Sequence, residues 1–149
     1  MTPIEFINRL FVAVTELHPL HSMTVHFPIA LSGVALFFLL LALWQRSEAL
    51  ERAAFFNLTL VTISAVVAGL TGMRDNLVRF EGEAPLAGVK IFLATSLIVL
   101  SLVVVIVRWR QAEVLWEPGT MVLYLLGFAG CFALAATLGF LGGVILYGF

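Results

Sequence analysis

The sequence predicts an all-α integral membrane protein, in which a four-helix bundle follows a short amphipathic amino-terminal helix. Of its 149 residues, 62% are hydrophobic and 11% are charged, and the mean hydropathy is +1.10. An ordinary soluble domain carries about 25% charged residues. The chain also contains four apolar segments, each close to the roughly 20 residues that cross a bilayer core of about 30 Å. These segments cover residues 25–44, 53–73, 89–107 and 121–147.

The apolar segments are predicted to be helices because only helices and closed barrels satisfy every backbone polar group in lipid. Each segment is too long and too continuous for a strand of a barrel. Charged residues close the first three segments, at Gln45-Arg46, Arg74-Asp75 and Arg108-Trp109-Arg110. The whole chain, residues 1–149, is therefore predicted to be one membrane domain.

Residues 1–17 differ in character from the four spans. Thr2-Pro3-Ile4-Glu5 is a capping-box pattern with proline at the first helical position. Apolar side chains then recur at helical spacing, at Ile4, Ile7, Leu10, Phe11, Val14 and Leu17. This pattern predicts an amphipathic helix lying in the membrane interface. A helix packed on a partner subunit is the alternative.

An even number of spans places both termini on the same side of the membrane. Three tryptophans, Trp44, Trp109 and Trp116, fall at the other face, where aromatic side chains anchor helices in the interface. Basic residues are equally numerous on the two sides. Because Arg46 and Arg108 directly adjoin helix ends, we expect their side to be cytoplasmic and the termini to face outward.

Composition and spacing exclude several functions. A net charge of −1 gives no basic field for nucleic acid. The single Cys131 allows neither an internal disulfide nor a cysteine metal cluster. No glycine-rich phosphate loop and no nucleophile–base pair is recognisable, so we predict no catalytic residues.

All three histidines, His18, His21 and His26, lie in one run that ends at Pro28. Histidine is the commonest metal ligand, so the run is either a cofactor site or a set of hydrogen-bonding groups at the start of the first span. The bound group would be haem, chlorin or copper, with Met23 or Met73 as a soft ligand for copper. Because Pro28 restricts the backbone beside it, we expect His26 to be the most buried histidine and the first ligand, followed by His21 and His18.

Small residues recur every four positions in the fourth span and form a ridge that allows close helix packing. We define the fourth-span ridge as Gly127, Cys131, Ala135, Gly139 and Gly143. The second span has a similar set that includes Gly69 and Gly72. Packing within the chain and packing between subunits both fit these patterns.

The run His18-Pro19-Leu20-His21-Ser22-Met23-Thr24-Val25-His26-Phe27-Pro28-Ile29-Ala30-Leu31 resembles the signature of the domain-of-unknown-function 2231 family. Segments 68–72 and 139–143, together with Tyr147, are also similar to that family. The resemblance implies a small bacterial four-helix membrane protein of the inner (cytoplasmic) membrane. It also suggests haem or metal binding by the histidines.

Two functions follow as expectations. The first is a non-catalytic membrane subunit that packs with other membrane subunits in a larger complex, such as an electron-transfer or photosynthetic complex. The second is a redox membrane protein with a histidine-ligated haem or metal. Histidines that ligate haem in a helical bundle usually come from facing helices, whereas all three here precede or begin one helix. A single axial histidine, or ligands shared with a neighbouring subunit, would accommodate that arrangement.

Overall fold

The computed structural model describes residues 2–13 and 20–147, with side chains to residue 144. The regular structure in these ranges is helical, and four helical segments are long and apolar enough to span a membrane, which confirms the predicted fold class. Helices α2 and α3 together form the first span. The elements are α1 (Pro3–Val12), α2 (Leu20–Thr24), α3 (His26–Gln45), α4 (Glu48–Phe80), α5 (Ala87–Arg110) and α6 (Pro118–Tyr147).

The helices extend beyond the apolar segments that predict them. Helix α4 is the clearest case, because it covers Glu48–Phe80 whereas the apolar segment covers only 53–73. Ser47 caps its amino terminus by accepting a hydrogen bond from the backbone N–H of Leu50 at 3.4 Å. At the other end Glu81 adopts a left-handed conformation, with φ of 52°. Hydropathy therefore marks the part of a helix that lies in lipid, and the caps mark its ends.

Helix α1 begins as the sequence predicts. The backbone N–H of Thr2 donates to Glu5 Oε2 at 2.8 Å, and the N–H of Glu5 donates to Thr2 Oγ1 at 3.2 Å. The helix ends at Val12, and residues 14–17 of the predicted segment lie outside the described residues. None of the residues of α1 is buried against the rest of the described structure.

The four spans form a closed ring in which α3 packs on α4, α4 on α5, α5 on α6, and α6 on α3. Most of the fourth-span ridge is used inside this ring. A Cβ atom at Gly127 would lie 2.5 Å from Val104 Cγ2 of α5, and one at Gly139 would lie 2.8 Å from Ile29 Cδ1 of α3. Cys131 and Ala135 are buried. These small residues therefore let α6 approach α3 and α5 closely.

Two of the predicted packing glycines behave differently. A Cβ atom at Gly69 or at Gly143 would meet no atom of the described residues within 4 Å. The small-residue pattern thus explains packing within the chain at five positions, which include Gly72, and leaves these two without a packing role in the described structure.

Candidate functional site

Helix α4 presents one buried stripe to the bundle, and this stripe begins and ends with a carboxylate. Its members are separated by three or four residues, with one longer step that contains Gly72, so they share one helical face. At a rise of 1.5 Å per residue, the first and last members are about 36 Å apart, slightly more than the hydrocarbon thickness of a bilayer. The buried members are Glu51, Ala54, Leu58, Val61, Ala65, Ala68 and Asp75.

At the first end of the stripe, Glu51 joins three helices. Arg108 of α5 donates to both of its carboxylate oxygens, from Nε to Oε1 and from Nη2 to Oε2, the latter at 2.7 Å. The hydroxyl of Tyr124 of α6 donates to Oε1 at 3.2 Å. The guanidinium of Arg108 also lies over the ring of Phe55, at 5.4 Å from its centroid. We name Glu51, Arg108 and Tyr124 the Glu51 cluster.

The Glu51 cluster is almost closed to the outside. Glu51 is 1% exposed and Tyr124 is 3% exposed, whereas the Arg108 side chain is 15% exposed. A buried carboxylate is tolerated only when its charge and its lone pairs are satisfied, and a forked pair with arginine does both. The arrangement therefore acts as a polar clamp between α4, α5 and α6.

At the other end of the stripe, Asp75 holds the start of the first span. Its Oδ2 accepts a hydrogen bond from the backbone N–H of His21 at 3.0 Å, and its Oδ1 accepts one from Arg74 Nη1 at 2.8 Å. The hydroxyls of Thr24 and Thr71 lie 2.8 Å apart and add a second contact between α2 and α4. The amide that Asp75 binds is one of those left without a partner at a helix start.

The ring of His21 is fixed against α4. Its Nδ1 lies 2.9 Å from the carbonyl oxygen of Ala68, and because a carbonyl only accepts, Nδ1 carries the proton in this hydrogen bond. The neutral ring then has its lone pair on Nε2. Gly72 provides the space, since a Cβ atom there would lie 2.9 Å from the ring atoms Cε1 and Nδ1. We name His21, Ala68 and Gly72 the His21 pocket.

The order of burial expected for the histidines is wrong. His26 is exposed, whereas His21 is partly buried against α4 and makes the contacts just described. At about 100° per residue, positions 21 and 26 are about 140° apart around a continuous helix, so both rings cannot face the bundle. Pro28 lies close to the direction of His21 and is buried instead. His18 lies outside the described residues.

Sequence reasoning missed the Glu51 cluster. Glu51 precedes the second apolar segment, 53–73, and so falls outside the predicted span, but it lies in the first turn of α4 and is buried. The signal was present in the spacing, because Glu51 continues the three-and-four repeat of Ala54, Leu58 and Val61. A charged residue at a core position of a helix predicts a buried partner, and Arg108 at the end of a neighbouring span is the matching cation.

Between the two ends the bundle holds a smaller polar contact. The hydroxyl of Thr62 donates to Ser101 Oγ of α5 at 3.0 Å, and Ser101 is fully buried. In the described part of the chain, no buried side-chain nitrogen or oxygen lacks a hydrogen-bond partner. No three histidine, cysteine or acidic side chains of that part come together as a metal site would require.

Residues 17–149 match the family model described as "Predicted membrane protein (DUF2231)", which confirms the resemblance found in the histidine run. Because the match covers nearly all of the chain, the protein belongs to that family of membrane proteins. No curated protein and no solved structure shows significant similarity to the chain.

Proposed function

We propose that this member of the DUF2231 family is a non-catalytic membrane subunit that packs with other membrane proteins in a larger complex. The observation that carries the proposal is the exposed apolar face of α1. Four large side chains of this helix are exposed by 54–72%, namely Ile4, Phe6, Ile7 and Leu10. A contiguous apolar face of this kind is covered in the native protein, and a neighbouring subunit is the cover that we propose.

The buried polar groups support a structural role. The Glu51 cluster, the Asp75 contacts and the Thr62–Ser101 pair each join helices of this chain to one another. Their hydrogen-bonding capacity is directed at building the bundle. The fourth-span ridge is likewise used mainly inside the chain, so α1 is the better candidate for contact with a partner.

Site-specific photocrosslinking tests the proposal. A photoreactive amino acid at Ile7 lies on the apolar face of α1, and the same amino acid at Arg9 lies on the polar face. After illumination of native membranes, we expect discrete protein adducts from position 7 and none from position 9. If position 7 gives lipid adducts alone, α1 is a lipid anchor and the subunit proposal fails.

For the location of the protein, we propose the inner membrane of a bacterium, with the termini facing outward. Arginines cluster where α3, α4 and α5 meet the opposite face, at Arg46, Arg52, Arg108 and Arg110. A concentration of arginine at helix ends favours the cytoplasmic side.

A histidine-ligated haem or metal is the second candidate function, and the His21 pocket favours it. Histidines that bind metals usually donate their second ring N–H to a carbonyl or carboxylate, which directs the other nitrogen to the metal. His21 has this arrangement, with Nδ1–H on the Ala68 carbonyl. Purified protein supplied with haem should then show a Soret band that His21→Ala abolishes and that His26→Ala, at an exposed position, retains. A band that survives His21→Ala would exclude this ligand.

A further inference from the structure

A shallow groove runs between α4 and α5, next to the Glu51 cluster and on the outer surface of the bundle. Two arginine-bearing helix ends meet there, and the walls are aromatic and aliphatic. The lining residues are Phe55, Phe56, Thr59, Val105, Arg108 and Trp109. Phe56 is 63% exposed and Trp109 is 80% exposed, so the groove opens towards the lipid.

Both helices that form the groove change from charged to apolar in the same direction. Along α4, Arg52 is followed by Phe56 and Thr59 on one helical face, because positions 52, 56 and 59 are separated by four and three residues. Along the antiparallel α5, Arg108 and Trp109 lie at the outer end and Val105 lies one turn deeper. The charged end is at the membrane interface and the apolar end points to the bilayer centre. A phospholipid has the same order, with a charged headgroup followed by an acyl chain.

The charges at the mouth of the groove suit a phosphate. Arg108 uses Nε and Nη2 to bind Glu51, which leaves the two N–H bonds of Nη1 for another acceptor. Arg52 is exposed and, within the described residues, has no carboxylate within ion-pair distance. Arg110 borders a second depression on the other side of Trp109. Glu51 and Glu113 both act on Arg108, and Arg52 and Arg110 supply the positive charge that exceeds these two carboxylates.

We propose that this groove binds one phospholipid with an anionic headgroup, its phosphate at Arg52 and Arg108 and one acyl chain along Phe55, Phe56 and Val105. Trp109 closes the groove at the level of the lipid glycerol, where indole rings are favoured. Because basic residues at the ends of membrane helices attract anionic headgroups, the lipid would be held more tightly than bulk lipid. The proposal does not depend on membership of a larger complex.

Trp109 and Trp44 form a matched pair for testing this proposal. Both lie at the same end of the bundle and are 80% and 81% exposed, but only Trp109 borders the groove. Two proteins are compared, one keeping Trp109 and one keeping Trp44, with the remaining tryptophans changed to Phe. Each is reconstituted in phosphatidylcholine vesicles that contain a small fraction of phosphatidylglycerol with brominated acyl chains, which quench indole fluorescence on contact. We expect severalfold stronger quenching of Trp109 than of Trp44, reversed by unlabelled phosphatidylglycerol. Equal quenching of the two would overturn the proposal.

Variants of the groove identify its occupant. In the protein that keeps Trp109, Thr59→Phe fills the groove and should reduce quenching to the level of Trp44, whereas Thr95→Phe on the exposed surface of α5 should not. Arg52→Gln should weaken quenching severalfold, and Arg46→Gln at the same end should leave it unchanged. If Thr59→Phe fails to fold, the exposed Arg52→Gln still decides the matter. A second copy of the chain is the alternative occupant of the groove. If brominated lipid does not quench Trp109, and if Thr59→Phe converts a dimer to a monomer, the groove holds a second copy and the lipid proposal is refuted.

Discussion

Removing the charge of Glu51 should strongly destabilise the bundle, although Glu51 lies at the edge of the predicted second span. Glu51→Gln preserves the size of the side chain. However, its amide nitrogen would face one of the two N–H groups that Arg108 now directs at the carboxylate. A hydrogen bond to a charged group contributes about 1.5–3 kcal/mol, and breaking a buried ion pair by removing one partner costs about 3–5 kcal/mol.

The exposure of the Arg108 side chain decides where the loss of stability falls within the range of about 3–5 kcal/mol. Its side chain is 15% exposed, so the guanidinium freed by the substitution regains part of its solvation at the membrane surface. We therefore expect the lower end, a loss of about 3 kcal/mol in the free energy of unfolding. Tyr124→Phe removes only the donor at 3.2 Å and should lower the free energy of unfolding by about 1 kcal/mol.

Reversible unfolding in mixed micelles, followed by far-ultraviolet circular dichroism as dodecyl sulfate is added, measures these changes. Glu48→Gln is the control, because Glu48 is exposed one turn earlier in the same helix and should change the free energy of unfolding by less than about 0.5 kcal/mol. A double-mutant cycle with Arg108→Gln should show coupling of about 2 kcal/mol. If Glu51→Gln behaves like Glu48→Gln, or if the two effects simply add, the clamp does not stabilise the protein.

Two further predictions concern the His21 pocket and the topology. Gly72→Ala places a methyl group 2.9 Å from the His21 ring and should lower the free energy of unfolding by about 1–3 kcal/mol relative to Gly69→Ala. Gly69→Ala is the control, because its methyl group meets nothing within 4 Å and the substitution gains the same helix propensity. Equal stability of the two variants would show that the His21 ring moves freely. Glu83→Cys and Glu48→Cys should react with a membrane-impermeant thiol reagent from opposite sides, while the buried Cys131 stays unlabelled, and labelling of both from one side would contradict four spans.

The four spans were predictable because a bilayer selects strongly for length and hydropathy, and 25–44 and 89–107 fall inside the candidate spans Leu20–Gln45 and Ala87–Arg110. The polar ends of the helices were not predictable, because a hydropathy profile ends a span at every charged residue. That treatment places Glu51 outside the second span, although its spacing from Ala54 and Leu58 marks it as a core position. The expectation that His26 is more buried than His21 was wrong because it considered distance along the chain and the proline, but not the direction in which each ring leaves the helix.

The position of the polar contacts explains how this bundle selects one arrangement of its helices. In lipid, apolar surface does not distinguish one helix neighbour from another, so packing shape and hydrogen bonds decide the order. All of the interhelical polar contacts described above involve α4: Asp75 binds the start of α2, Thr62 binds Ser101 of α5, and Glu51 binds α5 and α6 together. Exchanging α5 and α6, or rotating α4 by one residue, would separate the Glu51 carboxylate from Arg108. Because breaking a buried ion pair costs about 3–5 kcal/mol, Glu51 excludes these alternatives more effectively than any apolar contact of the same helix.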